Sequence, residues 1–215
     1  MKAVRLFATL STILALASCA SLRIGSEFQS GRRAMLSGND ETALAFFQSV
    51  AQKDPGYAYG TAYRQGILSY LGRTEYSTGK LPQARQTLER ALASNREEDL
   101  ARLYLGLTLM RAGERDRGVK ELEGAMRGIQ NWLDYFTEAH RFSYGQFWDP
   151  GREIRSAIQN QLAMVSGREA DASKVIAEAE WLGKRMEEEV DRARDHETRQ
   201  QSRENDGGQS GGNQP

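Results

Sequence analysis

The sequence predicts an all-α fold: a short array of about three helical hairpins, C-terminal capping helices and a disordered tail. Three observations predict it. Residue types recur 34 apart through the middle of the chain: Leu71-Gly72 returns as Leu105-Gly106, Gly79 as Gly113, Leu88 as Leu122 and Ala91 as Ala125. A period of this length belongs to stacked helix-turn-helix units. Glycine stands in the two turns this register implies, Thr78-Gly79-Lys80-Leu81 and Ala112-Gly113-Glu114-Arg115, where a helix commonly ends on a left-handed residue. Further on, apolar side chains recur at spacings of three and four, first at Trp132, Tyr135 and Phe136, then at Val175, Ile176, Ala179, Leu182, Met186 and Val190.

The chain begins with a positive start, Lys2 and Arg5, followed by an apolar stretch from Leu6 to Leu16. That stretch is too short to span a hydrocarbon core of roughly 30 Å as a helix with polar flanks. With the small residues Ala17 and Ser18 it has the three-part layout of a secretory signal peptide. Leu16-Ala17-Ser18-Cys19 closes it, and Cys19 is the only cysteine. These four residues resemble the lipobox of bacterial lipoproteins. The resemblance implies removal of residues 1–18, acylation of Cys19 with palmitate-type chains and a lipidated linker over 19–24. An ordinary signal cleaved around Ala17 to Ala20, or an uncleaved anchor, are the other readings of the same residues. Acyl chains contribute about 0.8 kcal/mol per buried CH₂, so a multiply acylated cysteine holds a protein on a membrane without a spanning helix. In two-membrane bacteria an aspartate after that cysteine commonly retains such proteins at the inner membrane; this chain has Ala20-Ser21. The expected location is therefore the periplasmic face of the outer membrane, or in a single-membrane host the outer face of the plasma membrane.

The repeats occupy residues 25–130. An earlier copy runs Gly31, Gly38, Ala43, Phe47, Val50 and Pro55 against Gly72, Gly79, Ala84, Leu88, Ala91 and Arg96, an offset of 41 instead of 34. Seven extra residues are nearly two helical turns, so they are expected to lengthen the helix before Leu71 while keeping its face in phase. The tyrosine-rich piece from Gly56 to Tyr63 holds the extra length, and Pro55 fits a turn. The spacing resembles the tetratricopeptide repeat, in which a glycine in the first helix lets the second approach. The family's aromatic near the start of that helix is replaced by Glu27, Leu68 and Arg102, its closing proline survives only as Pro55, and the third unit has Gly118 where the others have Ala43 and Ala84.

Residues 131–167 are placed to cap the array, which needs a polar outer face at its end. Seven aromatics crowd into this segment: Trp132, Tyr135, Phe136, Phe142, Tyr144, Phe147 and Trp148. The first three share a helical face expected to seal the stack. Gly145, Asp149, Pro150 and Gly151 break the periodicity and imply a loop over 142–151. Its aromatics either fold back on the core or project as a binding edge for a peptide or a sugar. A new helix then runs through Ile154, Ile158, Leu162 and Val165. Residues 168–199 read as one amphipathic charged helix folded back on the array, and 200–215, lacking apolar side chains able to drive folding, as a disordered tail.

Composition excludes several functions. The 29 basic and 29 acidic residues cancel, and losing Lys2 and Arg5 leaves the processed chain slightly acidic, so nucleic acid is not an expected partner. With one cysteine there is no internal disulfide and no cysteine-ligated metal site. The two histidines, His140 and His196, begin no metal-ligand pattern, and no G-x-S-x-G elbow or glycine-rich phosphate loop is present. The acidic run Glu187-Glu188-Glu189-Asp191 reads as a solvated helix face. No catalytic residue, metal or cofactor is expected, and the chain reads as a binding protein.

Two functions remain. In the first, the array's concave face holds a protein partner in the bacterial cell envelope. Its groove candidates are Tyr63, Arg64, Tyr70, Arg102 and Tyr104. In the alternative, the loop 142–151 serves an envelope ligand- or polysaccharide-binding protein or, less favoured, an enzyme, with Tyr144, Phe147, Trp148, Asp149 and Arg152 as contacts. The oligomeric state is not legible.

Overall fold

The computed structural model describes residues 23–60, 62–165 and 171–209. The acylation candidate Cys19 and the rest of the signal region lie outside the described residues, as do residues 210–215. Helix α1 covers residues 23–36. There follow α2 (Asp40–Lys53), α3 (Ile67–Ser77), α4 (Leu81–Ser94), α5 (Asp99–Arg111), α6 (Arg115–Ala139), α7 (Glu153–Val165) and α8 (Ala172–Gln209). Among the described residues the fold is all-α apart from one two-residue antiparallel ribbon, β1 (Ala58–Tyr59) with β2 (Gln65–Gly66).

Helices α1 to α6 form three successive hairpins, and the same devices build each one. The first helix of every hairpin ends on a glycine with positive φ: Gly38 at 75°, Gly79 at 75° and Gly113 at 85°. Around each, the same two backbone bonds close the helix end, as in Gly79 N–H to Tyr76 O and Lys80 N–H to Glu75 O. A second glycine sets the contact between the two helices. A Cβ on Gly72 would lie 2.5 Å from Leu88 Cγ, one on Gly106 2.8 Å from Leu122 Cγ, and one on Gly31 2.7 Å from the Phe47 ring. Each glycine faces the residue sixteen positions later. Phe47, Leu88 and Leu122 are fully buried because the backbone opposite offers no side chain to hold them off.

The seven extra residues do not lengthen α3. They make the turn at Pro55 and the ribbon that follows, and α3 starts only at Ile67. Gly60 has a φ of 101°, a conformation closed to helix and nearly closed to other residues, so the segment reverses there. The ribbon's Tyr59 joins Phe28, Phe47 and Tyr70 in an aromatic cluster under the first two hairpins.

The boundary expected at 130/131 is crossed by one continuous helix, α6. Trp132 and Phe136 stack on each other at 5.0 Å and pack on Trp148, but Tyr135 is 72% exposed. The buried face of α6 turns along Ile129, Trp132, Leu133 and Phe136, and Tyr135 falls off its edge. The final helix also departs from expectation: its backbone stays helical to Gln209, past the end anticipated at 199. Residues 200–206 contain neither Pro nor Gly, and extending an existing helix avoids the cost of nucleating one.

Candidate functional site

The first helices α1, α3 and α5 share a face, and α8 lies along it. The aromatic residues and arginines of that face set its chemistry. Arg32 follows Gly31 and Arg73 follows Gly72, so the two arginines hold the same position in successive hairpins. Because the preceding glycines point at the second helices, the arginines point the other way, toward α8.

Both reach one carboxylate. Glu187 of α8 is fully buried. Its Oε1 accepts from Nε and NH2 of Arg32 and from the Tyr70 hydroxyl, the latter at 3.2 Å. Its Oε2 accepts from Arg73 NH1 at 3.2 Å and Gln65 Nε2 at 3.3 Å. Arg32 NH1 also donates to Tyr59 Oη at 3.0 Å and to Asp191 Oδ1 at 2.6 Å. Burial pushes the Glu187 carboxyl up, yet Arg32 and Arg73 outweigh that and hold its pKa below the usual carboxylate value. Desolvation would likewise lower both arginines; for Arg32 the Glu187 charge, and for Arg73 the neighbouring Tyr104 and Glu187, keep them firmly cationic.

Each arginine also lies over a tyrosine ring: Arg32 over Tyr59 at 4.5 Å and Arg73 over Tyr104 at 5.0 Å. At the other end of the groove Arg111 lies over Tyr76 at 4.4 Å and pairs with Glu180 of α8, which also accepts from the Tyr76 hydroxyl. Such stacking favours a guanidinium over an ammonium. Between the two acidic contacts, Gly183 lets α8 approach; a Cβ there would stand 2.7 Å from Tyr104 Oη.

The sequence-predicted groove residues divide accordingly. Tyr70 and Tyr104 do lie on the groove, but both are buried, because α8 covers them. Tyr63 is also buried, packed edge-on to Trp132 at 4.7 Å and bonded to none of the groove's arginines or carboxylates. Arg64 is exposed beside it, and Arg102 is tied to Glu121 and the Arg96 carbonyl. None of these three lines the groove. Sequence reasoning missed Arg32, Arg73, Arg111, Glu180 and Glu187. The repeated pair Gly-Arg at 31–32 and 72–73 is the signal that was available. The reading of Glu187 and Glu189 as solvated is corrected, since both are fully buried, whereas Glu188 faces solvent.

The aromatic loop is buried at Trp148 and Asp149 and open at its start, where Phe142 is 87% exposed. Trp148 and Asp149 are 2% and 1% exposed, so neither offers a surface to a ligand. Trp148 packs among Tyr63, Trp132 and Phe136. Asp149, at a φ of 43°, accepts from the backbone N–H groups of Ile154 and Arg155 and from Arg155 Nε, capping α7, while its own N–H donates to Glu189. Phe147 stacks on His196 at 5.0 Å, Tyr144 is half-buried, and Arg152 is exposed with a φ of 56°.

A separate cleft lies between the ribbon's loop, the start of α5 and the middle of α6, lined by Tyr63, Arg64, Asp99, Asn131 and Trp132. Burial lifts the Asp99 carboxyl from 3.8 to about 7, against the pull of Arg102. Among the described residues no helix is long and apolar enough to cross a membrane. Comparison with protein-family models, with curated proteins and with solved structures gives no match to this chain.

Proposed function

We propose that the chain is a lipid-anchored scaffold of the bacterial cell envelope, a short tetratricopeptide-like array whose inner face takes a helix of a protein partner. It acts by binding and not by catalysis. The observation that carries this reading is that the face lined by α1, α3 and α5 already holds an amphipathic helix, the chain's own α8. A surface that seats one helix through sockets for its side chains has the shape and chemistry to seat another. The repeated glycine contacts and turn glycines support the array, and the Leu16-Ala17-Ser18-Cys19 sequence supports the tether at the outer membrane's periplasmic face. The ligand-binding alternative at the loop 142–151 has less support, because Trp148 and Asp149 are inside the fold and, of the aromatics and candidate contacts, only Phe142 and Arg152 stand open there.

In-cell crosslinking of the native protein, beside a Cys19→Ala control, tests the reading. The expected result is a specific envelope protein captured by the native chain, and loss of both acyl mass and membrane fractionation in the control. A control that keeps its acyl mass and stays with the membrane refutes the tether; a native chain that captures no protein refutes the scaffold.

A further inference from the structure

We infer that the scaffold's partner is an amphipathic helix carrying two carboxylates seven residues apart with a small residue between them on its buried face, and that α8 is the intramolecular stand-in for it. The inference rests on the scaffold reading above and specifies the partner's chemistry.

The groove sets these requirements. Arg32 and Arg73 converge on one point, floored by the rings of Tyr59, Tyr70 and Tyr104. Two guanidiniums covered by a helix without a carboxylate there would be desolvated and unpaired, which is strongly unfavourable. Arg111 and the Tyr76 hydroxyl make the second demand, met in α8 by Glu180. Glu180 and Glu187 are seven residues apart, close to two full turns, so both project from one helical face. The Tyr104 hydroxyl between the sockets excludes anything bulky at the position of Gly183. Together these give the order acidic, small, acidic along the helix.

α8 also buries Val175, Ala179, Leu182, Met186 and Val190 in the core, so a partner helix must bring an apolar stripe as well as the two carboxylates. Two observations favour exchange of α8 for such a helix. The central contact of α8 is a buried ion pair, which holds a helix no better than apolar packing would but rejects helices lacking the charge. And α8 underfills the groove. Clefts of about 320 Å³ and 360 Å³ remain along it toward α1, the first reaching Leu36, Asp40 and Lys184, the second Gln29, Arg33 and Thr198. A helix with larger side chains at those margins fills space that α8 leaves open.

The test uses the full-length chain. Glu187→Ala withdraws the internal carboxylate and leaves both sockets intact; Gly183→Leu is a second host, pushing α8 off through Tyr104. The probe is a fluorescein-labelled synthetic peptide with the native sequence of residues 172–199, compared with its Glu187→Gln form by anisotropy. Both hosts are expected to bind the native peptide about tenfold or more tightly than the wild-type chain does, and the Glu187→Gln peptide to lose about tenfold or more. Equal affinity for the two peptides overturns the carboxylate rule and leaves the scaffold standing. No binding by either host overturns the exchange of α8. Neither outcome depends on whether cells yield a crosslinked partner, which decides the scaffold reading separately.

Discussion

Arg73 on α3 and Glu187 on α8 are 114 residues apart in sequence, and their side chains meet at 3.2 Å inside the protein. Arg32 completes the pair from the preceding hairpin. Removing the carboxylate while α8 stays in place strands two buried cations, a loss of about 3–5 kcal/mol. Release of α8 caps that cost, because the arginines then regain water. For Glu187→Ala we therefore predict that amides of α8 lose hydrogen-exchange protection while those of α2 to α6 keep theirs. Uniform loss across all helices would show instead that α8 is integral to one cooperative unit.

The glycines of the hairpins separate two kinds of constraint. Gly72→Ala puts a methyl group 2.5 Å from Leu88 Cγ and forces α3 and α4 apart, at a cost of roughly 1–3 kcal/mol. Gly79→Ala meets nothing within 4 Å, and its penalty comes only from a φ of 75°, on the order of 1 kcal/mol. Urea unfolding of both variants gives the order; a Gly79 variant that loses more than the Gly72 variant would contradict the packing account.

Those glycines explain how much was legible in the sequence. A residue that matters through its contact sixteen positions away repeats whenever the hairpin repeats, so Gly72 with Leu88 and Gly106 with Leu122 could be read from a period. Glu187 could not. Its partners Arg32, Gln65 and Arg73 lie more than a hundred positions upstream, and its neighbours Glu188 and Asp191 make the local charge pattern look solvated. Trp148 was legible in part: folding back on the core was one of the two readings of its loop, and its ring packs against Tyr63 and Trp132. The ribbon at Tyr59 was hidden because seven residues fit two helical turns by length alone, whereas Gly60 fixes the reversal.

Asp99 should give a pH signature. The folded chain keeps its proton up to about pH 7, while the unfolded chain releases it near 3.8. Between those values the folded state binds more protons, so this group removes stability as pH rises through the window and nothing further above it. Asp99→Asn should match wild type near pH 4 and exceed it by roughly 1–3 kcal/mol at pH 8. Denaturation at the two pH values checks this, and a gap independent of pH would exclude the assignment.

Asp149 joins the loop to α7 and α8. Asp149→Ala removes the acceptor for two backbone N–H groups and for Arg155, itself buried. We expect a loss of about 2–4 kcal/mol, with Asp149→Asn losing less because one acceptor oxygen remains. Near-ultraviolet circular dichroism should report the change through Trp148. An unchanged spectrum in Asp149→Ala would mean that the loop holds its place without the cap.

Because α8 is joined to the same chain as the face it covers, it competes for that face at an effective concentration on the order of millimolar. A free helix present at micromolar levels must bind about a thousandfold more tightly than α8 to take its place. In the proposed exchange the attachment works as a threshold: crowded surroundings full of weakly fitting helices leave the protein silent, and only a well-matched one is heard.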